Sequence, residues 1–163
     1  MQPHAETKKA EPNESDMKPY VSLAVALALS FVVMFVSGYA RTDAWSNVYL
    51  NLNRLYMTII MVAPMLLIML FAMRSMFKNT RLNWILAGSG VGLTVLFWVL
   101  VRQQGGVGDE RFLESMIPHH AAAILVCEES DLTDPRIVQL CREIIESQER
   151  EIAEMKALMR DYD

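Results

Sequence analysis

The stretch from Asp109 to Cys127, DERFLESMIPHHAAAILVC, decides how the rest of the chain is read. From Met116 onward it brings a methionine, two adjacent histidines and a cysteine into about three helical turns. At about 100° per residue, Asp109, Phe112, Met116, His119, His120, Ala123 and Cys127 fall on one helix face, at spacings of three and four. Leu113, Ile117 and Ile124 flank that face and widen its apolar side. A core-facing stripe would normally carry leucine or isoleucine throughout. This one carries a thioether, two imidazoles and a thiol, all donors for soft or borderline metal ions. Pro118 predicts a kink just before the histidine pair, because it removes a backbone donor and crowds the preceding turn.

Reading toward the C-terminus, Ser130 to Asp134 is a turn, with Asp134 placed to cap the next helix and Pro135 at its first position. That helix is expected to run to about Met159, with Cys141, Ile144, Gln148, Glu151, Ile152, Met155 and Met159 on one face. Glu146, Arg150 and Glu154 read as exposed ion pairs. Closing the two helices as an antiparallel hairpin sets Cys127 opposite Cys141, His120 opposite Gln148, and Met116 opposite Ile152, close to Glu151 and Met155. Three readings of the cysteines stay open: a disulfide across the hairpin, thiolate ligands, or two small buried apolar groups.

Reading toward the N-terminus, the chain turns apolar. Of 163 residues, 53% are hydrophobic, and a mean hydropathy of +0.21 is too high for an ordinary soluble domain, so membrane spans are expected. Residues 1–19 are polar and read as a disordered tail, in which His4 is a solvated side chain. Spans are predicted at about 20–40, 55–73 and 83–101, within a membrane domain of residues 20–102. Trp45 and Tyr49, in the first connection, are expected as interfacial anchors. Met57, Met61, Met65, Met69 and Met73 recur every fourth residue of the second span. They read as adaptable apolar side chains before they read as a metal relay. Gly88 and Gly92 form a GxxxG pair on the third span, with Gly90 between them. Residues 103–108 (QQGGVG) are a glycine-rich hinge before the 109–163 hairpin.

Lys8, Lys9, Lys18, Arg74, Lys78 and Arg81 lie on one side of these spans, and Arg41, Arg54, Arg102 and Arg111 on the other. That balance puts the N-terminus in the cytoplasm and the C-terminal domain outside, in the periplasm or cell exterior of a bacterial inner membrane. The net charge of −4 and the lack of a basic stripe argue against nucleic acid as a partner. Neither a phosphate-binding loop nor a nucleophile motif occurs, and no base, nucleophile and orienting group can be assembled, so an enzyme is not expected.

The pattern formed by Asp109, Phe112, Met116, His119, His120 and Ile124, followed by Gln148, Glu151, Ile152 and Met155, resembles the CopM-like family, DUF305. The resemblance covers the last third of the chain. It implies a ferritin-like helical fold and extracytoplasmic copper binding, with Met116, His119, His120 and Met155 as candidate ligands and Glu151 and Gln148 in support. Asp109, Cys127 and Cys141 complete the candidate donor set. The fold class expected is therefore all-α: three transmembrane helices, then half of a four-helix bundle that a second copy would complete. The function expected is a membrane-anchored holder of Cu(I), with Ag(I) or Cu(II) as further cargo, served by copper-handling partners. The alternative is a tethered helical dimerisation module that binds no metal.

Overall fold

In the computed structural model, which describes residues 14–162, the protein is all-α: among the described residues there are five α-helices and no strand. They are α1 (Glu14–Ser37), α2 (Leu52–Ala72), α3 (Thr80–Gln103), α4 (Asp109–Glu129) and α5 (Pro135–Met159). Two short 3-10 turns, Gly38–Arg41 and Trp45–Asn47, link α1 to α2. His4 lies outside the described residues. Three helical stretches are long and apolar enough to cross a membrane: Met17–Arg41, Leu52–Ala72 and Thr80–Gln103. Leu29, Val33, Ile68, Phe71 and Trp84 stand exposed along them, as lipid-facing side chains would.

Part of the expected tail is structured. Residues 14–19 belong to α1, and the helix continues through Pro19. Tertiary contacts explain the extension. Tyr20 is buried against Phe77 with ring centroids 5.0 Å apart. Its hydroxyl donates to Asn83 Oδ1 at 2.8 Å and accepts from the Asn79 N–H at 3.1 Å. The start of α1 is thus tied to the α2–α3 connection. α2 packs against both α1 and α3, and both α2 and α3 begin with an asparagine cap: Asn51 accepts from the Arg54 N–H and Asn79 from the Leu82 N–H.

The close approach of α2 and α3 does not run through the GxxxG pair. Gly88 and Gly92 face open space, whereas a Cβ on Gly90 would meet Leu67 at 3.1 Å and the Ala63 carbonyl at 3.3 Å. Gly90 lies two residues from each, on the other side of the helix. Gly90→Leu is expected to overpack this seam by about 1–3 kcal/mol, while Gly88→Leu and Gly92→Leu leave it intact. Thermal unfolding of the three variants in one detergent checks this, and equal midpoints would contradict it.

The glycine-rich connection is pinned to α2 by hydrogen bonds. Tyr56 Oη donates to the Gly105 carbonyl at 3.0 Å, and Asn53 Nδ2 to Gln104 Oε1 at 3.0 Å. Gln104 ends α3 in the left-handed region at φ 50°, and Gly106 follows at φ 76°, where a glycine carries no Cβ penalty.

α4 and α5 lie against each other around a core of Leu113, Ile117, Ala121, Ile124, Ile152 and Met155. Asp134 caps α5 by accepting from the Arg136 N–H at 2.9 Å. Arg136 also bonds the Asp134 side chain, which holds that carboxyl below its usual range and raises the guanidinium. The helix runs unbroken through Pro118. Tyr49 packs on the α4–α5 core, while Trp45 is 90% exposed.

Candidate metal-binding site

The face that α4 turns to α5 is offset from the chemical stripe. Leu113, Ile117, His120, Ala121 and Ile124 are buried, while Phe112 is half exposed and Met116 only partly buried. The two stripes differ by one residue, about 100° on a helix. The apolar residues expected as flanks are therefore the core, and of the two histidines only His120 faces α5.

His120 is fixed at both ring nitrogens. Nδ1 lies 2.9 Å from the Met116 carbonyl, which can only accept, so Nδ1 carries a proton. Nε2 lies 2.7 Å from Glu151 Oε2. With Nδ1 protonated, a neutral ring leaves Nε2 as a lone pair facing carboxylate oxygen. Two acceptors at that distance need a positive species between them, which in the metal-free protein is a proton. The His120 side chain is 11% exposed and that of Glu151 44%, so the pair sits at the edge of the core, open on one side. Met116 is one turn from His120 on α4, and the buried Met155 one turn from Glu151 on α5.

His119 is elsewhere. It is exposed and lines a cleft formed with Arg41 and Arg54, on the side of α4 that faces the start of α2. The two rings stand 5.9 Å apart at 64°. Cys127 and Cys141 are joined in a disulfide with Cα atoms 5.3 Å apart, so neither offers a thiolate in this state. Asp109 is the first residue of α4, with Gly108 rather than Asp109 at the cap. It lies eleven residues from His120, about 16 Å along the axis, too far to share an ion with the His120–Glu151 pair. Gln148 is partly buried, and its Nε2 approaches only the Ser147 hydroxyl, at 3.5 Å. His120 reaches Glu151, nearly one turn beyond the residue expected opposite it. The ion pairs expected among Glu146, Arg150 and Glu154 do not form: the ion pairs among the described residues are His120–Glu151 and Arg136–Asp134. Among the described residues no group of three His, Cys, Asp or Glu side chains could hold a metal ion. A site at His120 and Glu151 would have to be completed by thioether sulfur.

These features define an all-α protein with three helices fit to cross a membrane and a pair of packed, disulfide-linked helices after them. The model of a domain of unknown function (DUF305) matches residues 97–159, which begin inside α3 and end with α5. An uncharacterised protein of Acanthamoeba polyphaga mimivirus is 32% identical over 140 residues, covering 82% of this chain and 90% of the relative. That length exceeds α4 and α5 together, so the similarity extends into the apolar helices. The chain belongs to the DUF305 family. No solved structure matches it.

Proposed function

We propose that the protein is a membrane-anchored metal-binding protein that holds Cu(I), or Ag(I), on the extracytoplasmic side. The observation that carries this reading is the 2.7 Å contact between His120 Nε2 and Glu151 Oε2 at the open edge of the core. A cation can take this place if the Glu151 carboxylate draws back to ligand distance, while the Nδ1 contact with the Met116 carbonyl keeps the ring oriented. Met116 and Met155 supply soft sulfur from adjacent turns, which favours Cu(I) over hard cations. His119 is left out of this ligand set. The Cys127–Cys141 disulfide suits an oxidising compartment, in keeping with the orientation expected from the lysine and arginine balance. The role is binding rather than catalysis. A second copy would complete a four-helix bundle over Val126, Ile137 and Leu140, which α4 and α5 leave exposed.

Native mass spectrometry of the full-length protein, loaded with Cu(I) under a competing chelator, tests the site and the copy number together. His120→Ala and Glu151→Gln are each expected to weaken Cu(I) binding by at least about tenfold, and His119→Ala to leave it nearly unchanged. Cu(I) binding should also release a proton, read by calorimetry in two buffers of different ionisation heat. A His120→Ala protein that holds copper as tightly as the wild type rules the site out.

A further inference from the structure

His119 opens onto a cleft of about 160 Å³ where the end of α1 meets the start of α2 beneath α4. Its walls include Tyr39, Arg41, Arg54, Met57, Ser115 and His119. The Arg54 guanidinium lies 4.8 Å over the Tyr39 ring and packs so tightly on Gly38 that a Cβ there would collide with it. Neither Arg54 nor Arg41 meets a carboxylate among the described residues. Asp43, close in sequence, is taken up by the Ala44 N–H at 2.6 Å and Asn47 Nδ2 at 2.7 Å. The Tyr39 hydroxyl is buried beside the Arg54 guanidinium.

Two guanidinium groups in one cleft repel each other, and partial burial weakens the hydration of Arg54. The N-terminal end of α2 adds its positive dipole to the same place. One anion would relieve both. A soft cation on Met57 and His119 is the rival occupant, but it would sit among those same positive charges. We propose that this cleft binds a phosphate group through Arg41 and Arg54. The volume is several times that of a water molecule, enough for such a group. The cleft lies at the ends of two candidate spans, at the depth of lipid headgroups. The phosphate can therefore belong to a phospholipid or be free in solution, and both sources present the same oxygens to the arginines.

The full-length protein, delipidated in a maltoside detergent that contains no phosphate, separates the sources. Inorganic phosphate is added in one arm and phosphatidylglycerol in the other, with sodium chloride at matched ionic strength as the reference. Thermal unfolding midpoint is the readout. A rise with inorganic phosphate identifies a free anion, and a rise with phosphatidylglycerol alone identifies a headgroup. In either case Arg41→Gln and Arg54→Gln should each raise the half-saturating concentration by about tenfold. Arg41 is exposed, so its variant remains informative if loss of Arg54 disturbs folding. No rise in either arm, or an Arg41→Gln protein that responds like the wild type, overturns the proposal.

Discussion

Replacing Ile117 with alanine is expected to cost the α4–α5 pair about 2–5 kcal/mol. Ile117 is 0% exposed and is the largest side chain buried so completely. Leu113, Ala121 and Ile124 surround it along α4, and Ile152 and Met155 meet that core from α5. A cavity at this position has few ways to collapse, because the Cys127–Cys141 bond holds one end of the pair and the His120–Glu151 contact lies between. Hydrogen exchange on the full-length protein reads the effect. Amides of α5 near Ile152 should exchange at least about tenfold faster in Ile117→Ala, in line with 1.4 kcal/mol per decade. Leu158→Ala is the matched control: that side chain is 48% exposed, and its loss should stay within about 0.5 kcal/mol. Equal exchange in the two variants would show that Ile117 is not the centre of this core.

The spans could be read from the sequence because a bilayer demands only length and apolarity, not register. Their ends were less legible. Residues 14–19 look like tail by composition, yet Tyr20 bonds to Asn79 and Asn83 far along the chain and draws the helix start inward. The Cys127–Cys141 pairing could be anticipated, since both cysteines sit a few residues from a short turn that sets the register. Which face of α4 packs was harder to read. Met116, His119 and Cys127 drew attention to a chemical stripe, while the packed stripe of Leu113, Ile117, Ala121 and Ile124 lies one residue over. Adjacent histidines stand about 100° apart on a helix, so the single face expected for both splits, and packing decides which of them meets α5. The same holds for Gly90 beside Gly88 and Gly92: spacing marks a small-residue helix without saying which glycine touches α2. In the sequence Arg41 and Arg54 each look like an ordinary interfacial charge. Only the fold puts them in one cleft, and the signal available in advance was that arginines at 41 and 54 flank a connection with a single acid, Asp43.

Reduction of the Cys127–Cys141 bond, or the Cys127→Ser, Cys141→Ser double variant, is expected to weaken the α4–α5 pair by about 3 kcal/mol. The two cysteines are 14 residues apart, and closing a loop of that size removes this much freedom from the separated state in the chain-entropy model. A Cα separation of 5.3 Å lies within the usual range for such bonds, so the backbone need not shift to accommodate it. Both routes are needed, because they diverge on copper. Reduction frees two thiolates, which are soft donors and can bind Cu(I) on their own. The serine variant loses the link without offering sulfur. If the proposed copper site depends on the alignment of His120 with Glu151, the serine variant binds Cu(I) more weakly than the oxidised wild type, while the reduced wild type shows added binding that survives His120→Ala. Hydrogen exchange in α5 that is the same with and without reductant would show that the bond does not hold the two helices together.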